Sequence, residues 1–223
     1  MKTTQIKLTI ILGLILRSFS LIGQDYNWYE YELENVKVEF PTEEVYQLDT
    51  VINGLKINQL YTQIDKSTFI IQKMLAENSI SDKNLSSLPH NYQSLIEYYE
   101  GVVEGARKRY QAEDVQKEEI KIGDLIGYKC LIFNEIENPL VESRIFLVGD
   151  DLIMLSVYNP EKSLIAVNNE FLNSINLENI DSLEQYSGQS RAYKFGYLIG
   201  QFAIYAILGI GLFFIVKLFR KKK

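Results

Sequence analysis

The sequence predicts an α+β domain: an antiparallel sheet of about six to eight strands packed with helices, followed by one C-terminal transmembrane helix. Three observations carry this. Four strand-like runs follow one another from Val115 to Tyr158 with short breaks between them. A long stretch from Asn91 to Gln111 repeats its apolar residues at three- and four-residue steps. Tyr197 to Val216 is a run of twenty residues without a charge, which as a helix spans roughly 30 Å, the thickness of a bilayer's hydrocarbon core.

Taken in order, residues 1–23 read as a signal peptide. Lys2 and Lys7 precede the apolar run Leu8–Leu16, which is too short to cross a bilayer, and Arg17 interrupts any longer span. Cleavage after Gly23 or near Ser18 and Ser20 fits the small residues there. Residues 24–176 form the expected extracytoplasmic domain. Its start, Asp25 to Asn35, is rich in aromatic and acidic residues and reads as a first strand or an arm packed on the domain rather than a binding epitope. Val36–Phe40 alternates apolar and polar and stops at Pro41, so it is a half-buried strand. Val45–Ile52 and Leu55–Ile64 flank Asn53-Gly54, a hairpin signal because both central residues of a type I′ turn need positive φ. Thr68–Leu75 is the next strand, and Ala76–Pro89 reads as a long polar loop of the kind that often carries function.

In the 91–111 helix, Leu95, Tyr99, Val102, Ala106 and Tyr110 make the core stripe. Gly101 and Gly105 lie inside it, weaken it by about 1 kcal/mol each and point to close packing on a sheet. Glu97, Glu100 and Glu104 form an acidic ridge that reads as a solvated face, and Arg107, Lys108 and Arg109 at the end suit the helix dipole. The four strands that follow, Val115–Ile122, Ile126–Glu135, Leu140–Val148 and Leu152–Tyr158, predict an antiparallel meander. Asn159-Pro160 reads as N-cap and first helical residue of a last helix reaching about Ser174, with Leu164, Val167, Phe171 and Ile175 facing the core. Residues 177–194 are a polar tether, 195–217 the transmembrane helix and 218–223 a basic tail.

Charge narrows the function classes. All 29 acidic residues fall between Asp25 and Glu184, and of the 23 basic residues three precede Gln24 and seven follow Ser190. The domain therefore carries 13 basic residues against 29 acidic ones, a net −16, where the whole chain has only −6. Such a surface repels nucleic acid. The basic residues after the span outnumber Arg191 and Lys194 before it, so the positive-inside rule puts the tail in the cytoplasm and the domain outside it, periplasmic or at the cell surface in a bacterium.

The search for chemistry returns little. One histidine, His90, and one cysteine, Cys130, cannot make a four-ligand His/Cys zinc site. Cys130 has Tyr128 and Ile132 on its own strand face and reads as a core thiol, and His90 as a loop or capping residue. Adjacent acidic pairs point to opposite strand faces, Glu135 and Glu137 excepted, and Asp150-Asp151 reads as turn chemistry rather than a calcium loop. No cofactor, metal or catalytic residue is expected. The one patterned feature is on the anchor. Gly196 and Gly200 form a G-x-x-x-G, and Ala203 and Gly211 fall on roughly the same helix face, with Gln201 about a quarter turn away. Small residues let helices approach closely in lipid, so this face is the candidate helix-association site, toward itself or another membrane protein, or simply the ordinary glycine of membrane helices.

The element order, with Ile126-Gly127-Tyr128 opening a strand, FLVGDDLIMLSVYNP turning a hairpin at Gly-Asp-Asp, and FLNSINL ending a helix, resembles the PsbP-like and DcrB-like superfamily over about Asn35 to Leu177. The resemblance implies an antiparallel sheet with helices on both faces, an α/β/α sandwich. It also implies a binding or assembly role without a shared catalytic motif, and it transfers no functional residue. The apolar tail helix is not part of that pattern. The expected function is a membrane-anchored, extracytoplasmic binding or assembly module that is not an enzyme. The alternatives are an accessory subunit recruited through the transmembrane helix, and an envelope enzyme using acidic residues. The ligand is not legible.

Overall fold

A computed structural model describes residues 26–52, 55–76, 88–135, 138–177, 185–186, 196 and 199–200. Residues 1–23, read above as a signal peptide, Asn53-Gly54, most of residues 76–89, Glu137 and residues 201–223 lie outside these.

The strands are β1 (Tyr29–Leu33), β2 (Val36–Phe40), β3 (Tyr46–Ile52), β4 (Leu55–Ile64), β5 (Ser67–Ala76), β6 (Asp114–Ile122), β7 (Leu125–Glu135), β8 (Asn138–Val148), β9 (Asp151–Tyr158) and β10 (Asn176–Leu177). The helices are α1 (Tyr92–Tyr110) and α2 (Ile165–Asn173). Seven strands make one antiparallel sheet in the order β3-β4-β5-β9-β8-β7-β6. The meander expected from Val115 to Tyr158 is one half of it, and β9 joins it to the β3–β5 half by pairing with β5. Charged residues line the outer strand β6 (Lys117, Glu118, Glu119, Lys121), which discourages edge-to-edge pairing.

Val36–Phe40 does not enter this sheet. It is the centre of a separate three-stranded sheet, β1-β2-β10, in which Leu177 sits opposite Val36. Its alternation is real: Val36, Val38 and Phe40 are fully buried. Alternation names the buried face of a strand and not the partner that it pairs with.

Because side chains alternate along each strand, the main sheet has two cores. Ile57, Tyr61, Ile70, Met74, Tyr128, Cys130, Ile145 and Met154 face α1, which contributes Leu95, Tyr98, Tyr99, Val102 and Ala106. Leu60, Phe69, Ile71, Phe146, Ile153, Leu155 and Val157 face the small sheet and α2, which contributes Val167, Phe171 and Leu172. Helices thus lie on both faces. On the second, Phe171 stacks against Phe40 and Phe69, with ring centroids 5.1 and 5.3 Å away. Gly127 has a packing reason: a Cβ there would stand 2.7 Å from the Ile145 carbonyl and run into the ring of Phe146, its cross-strand partner.

One helix start differs from expectation. Asn159 is not an N-cap; it ends β9 at φ +48°, its N–H donating to Leu140 O and its carbonyl accepting from Ser67 Oγ. Asparagine suits left-handed backbone as well as caps, and here the strand end takes it. A 3-10 turn at Lys162–Leu164 leads into α2, which has no side-chain cap.

Candidate functional site

The candidate site is the face of α1 and what lies against it. The helix is well terminated. Asn91 is its N-cap, with its side chain accepting from the Ser94 N–H at 2.9 Å while Ser94 Oγ accepts from the Asn91 N–H at 3.1 Å. His90 sits just outside, its Nε2 3.1 Å from Asn91 Nδ2. Gln111 closes the other end at φ +53°.

The acidic ridge is largely paired. Glu104 bonds Arg107 at 2.7 Å, which holds its carboxyl below the ordinary range. Glu100 reaches Lys117 of β6.

Two tyrosines on α1, Tyr98 and Tyr99, are fully buried. Tyr99 has a structural task. The β7–β8 ladder begins at Gly127↔Phe146, and one step beyond it the backbone groups of Ile126 and Leu147 face inserted side chains instead of one another. Tyr99 OH donates to Ile126 O at 2.8 Å and accepts from Leu147 N–H at 2.9 Å. Gln185 completes the set: its Oε1 accepts from Ile126 N–H, and its Nε2 donates to Ile126 O and Leu147 O, each at 2.8 Å. Burial pushes Tyr99 well above the usual phenol range. The segment read as a polar tether is therefore fastened to the domain at Gln185, which is 5 % exposed.

Beyond it, Gly196, Ile199 and Gly200 are helical and lie on α1. A Cβ on Gly196 would collide with the Tyr98 carbonyl and come within 3.2 Å of Val102 N; one on Gly200 would collide with the Val102 carbonyl. Ile199 is 2 % exposed and joins the core on this side. Of the sequence-derived association residues, Gly196 and Gly200 are thus placed against a helix backbone, while Gln201, Ala203 and Gly211 lie outside the described residues. Gly101 and Gly105 are both buried and by helical geometry share the side of α1 that carries Tyr98 and Val102.

Cys130 is 2 % exposed, its thiol pushed by burial to about 12. Facing α1 as well, Gln59 and Gln72 are fully buried and bonded at 2.8 Å; Gln59 Nε2 has no partner among the described residues.

On the opposite face the sequence reading missed Lys73, which is 5 % exposed. Its ammonium meets Glu34, Asp151 Oδ2 at 2.8 Å and Asn35 Oδ1 at 3.1 Å, so three donors meet three acceptors. Glu34 is in the β1–β2 turn at φ +58° and also accepts from Asn58 at 2.8 Å. Burial pulls the lysine down, but the bonds to Asp151 and Glu34 outweigh it and raise its pKa. The Lys73 bond lowers Glu34, whereas burial leaves Asp151 raised. The Asp150-Asp151 pair is divided: Asp150 turns the hairpin and Asp151 holds Lys73. No group of three or more His, Cys, Asp or Glu side chains that could hold a metal ion occurs among the described residues.

No family model matches the chain, and no curated protein matches it. A solved structure to which it is similar is the solution structure of cyanobacterial PsbP (CyanoP) from Synechocystis sp. PCC 6803, with 11% sequence identity and a TM-score of 0.42 over 70% of this chain and 95% of that one. Among the described residues no helix is long and apolar enough to cross a membrane; residues 201–216 are not among them.

Proposed function

We propose that this chain is a membrane-anchored, extracytoplasmic binding or assembly module without catalytic activity. The observation that carries the reading is the uncharged run Tyr197–Val216 with its basic tail, led into by a helix start whose glycines already pack against another helix. Among the described residues, two reactive groups are engaged structurally: Lys73 is held by three acceptors and Cys130 is a buried thiol. The net −16 between residues 24 and 190 suits a cationic or neutral partner better than an anionic surface.

The test is alkaline extraction and protease protection of the full chain in native membranes. The expected result is retention in the alkali-washed pellet, with residues 24–190 cleaved only from the extracytoplasmic side. Release by alkali, or protection on that side, overturns the reading. A second reading, an accessory subunit of a membrane complex recruited through the helix, is favoured by the glycine face itself. It predicts co-purification with a membrane partner that Gly196→Leu with Gly200→Leu abolishes.

A further inference from the structure

The glycine face of the C-terminal helix already has an occupant. Gly196 lies over Tyr98 and Gly200 over Val102. Four residues along one helix match four residues along the other in the same direction, so the two helices run parallel at their contact. Neither position accepts a Cβ without moving backbone. On the α1 side, Gly101 and Gly105 are buried and by helical geometry lie toward the same side as the Tyr98 and Val102 contact. Upstream, Gln185 pins the incoming chain between β7 and β8 beside Tyr99, and Ile199 sits in the core.

We propose that α1 is a seat, in cis, for the start of the C-terminal helix, and that seating and complete membrane insertion are alternative states of the chain. The exclusion follows from direction. Beyond Val102, in the direction that the contacts of Gly196 and Gly200 set, α1 carries Glu104, Arg107, Lys108 and Arg109. Charges at the depth of a bilayer core are costly, so α1 cannot accompany the apolar run into lipid. The helix leaves the seat, or parts from α1 just past Gly200, before the whole of residues 197–216 is in the bilayer. While seated, the glycine face is closed to any partner in trans; once released, it is open to one. The second half of this inference rests on the membrane-anchor reading, and the seat itself does not.

The experiment uses the full chain, in detergent micelles for stability and in native membranes for pairing. Gly196→Ala and Gly200→Ala are expected to lower the domain's melting temperature by about 2–4 °C or more. Melting as wild type overturns the seat, whatever the membrane result. On the other partner, Gly101→Ala with Gly105→Ala improves helix propensity while crowding the seat. Near-UV circular dichroism confirms its fold. If this variant unfolds, Ile199→Ala, which removes the buried side chain that the C-terminal segment sets into the core and leaves both glycines in place, takes its place with the same expectation. The α1 variant is expected to raise membrane crosslinking of the chain to itself or to a partner at least about threefold, whereas Gly196→Leu with Gly200→Leu lowers it. Unchanged or reduced crosslinking in the α1 variant overturns the competition between seat and trans pairing. Failure of the anchor reading registers separately, as loss of all variants from the alkali-washed pellet.

Discussion

On one face of the seven-stranded sheet the chain lays down more sheet. β1, β2 and β10 form hydrogen-bonded ladders over it, α2 fills the remaining space with Phe171, and Lys73 fastens the β1–β2 turn from below. On the other face it lays α1 and the start of a further helix, with Tyr99 and Gln185 inserted between two strands. The first layer is itself a sheet, in which β2 pairs with β1 across a tight turn and with β10 from the far end of the domain, and it packs on the main sheet through side chains. The second is held by side chains and by glycine contacts. A ladder is hard to exchange piecemeal, but a helix resting on another helix's backbone can be replaced by a different helix. The α1 face is thus the one where the proposed exchange of partners breaks no ladder.

The comparison can be broken most forcefully at Phe171. Phe171→Ala removes a fully buried ring that touches Phe40 and Phe69, and should cost about 3–5 kcal/mol in a denaturant melt. It should uncouple the small sheet, seen as faster amide exchange in β2 with α1 still protected.

Lys73→Ala comes next. It leaves Asp151 facing the interior without its cation, at about 2–4 kcal/mol, reduced from a fully buried pair because Glu34 and Asp151 keep some solvent contact. The pH dependence gives the sign. Glu34, whose pKa is lowered, contributes stability that is present above the unfolded carboxylate value and lost as pH falls through its folded pKa. Asp151, raised, has the opposite sign and partly offsets that loss. Lys73, raised, contributes below the ordinary lysine value and loses its contribution as pH rises through its folded pKa.

The α1 face should yield to smaller changes and at the alkaline end. Gln185→Ala or Tyr99→Phe is expected to cost about 1–3 kcal/mol, the effect of leaving buried backbone groups of Ile126 and Leu147 with fewer partners. Tyr98, Tyr99 and Tyr110 are raised by burial, and Tyr158 is pushed to about 12. These phenols stay protonated in the fold after they ionise in the unfolded chain. Stability should therefore hold below pH 10 and fall above it, with a shallower slope in Tyr99→Phe. The smallest effect belongs to neither face: Val51, 61 % exposed on the edge strand β3, should tolerate serine within about 0.5 kcal/mol.

These contrasts also show what a sequence can disclose. α1 was legible because its stripe, its polar entry and its basic exit agree, and its bounds differ from expectation by one residue at each end. The strands were legible from alternation and turn residues. The split into two sheets was not, because Val36–Phe40 alternates in the same way whether it pairs with β3 or with β10. Lys73 was hidden by its setting. In Phe69–Met74 both strand faces are buried, so a lysine there reads as a solvent-facing interruption until Glu34, 39 residues away, closes on it. Gln185 lies in a polar stretch with no period, and only the parting of β7 and β8 gives its amide a purpose. Of the glycine face, residue type and spacing were readable, but its neighbour was not, since no local pattern couples Gly196 to Tyr98.

Gln185 has a mechanical consequence. A pull on the C-terminal end of the chain first breaks the contact at Gly200 and Gly196 and then meets the hydrogen bonds of this one amide. Only after they fail does tension reach the two-residue strand β10. The amide is a strain relief: it lets a load on the tail dissipate at the surface of the sheet before it can unzip Leu177 from Val36.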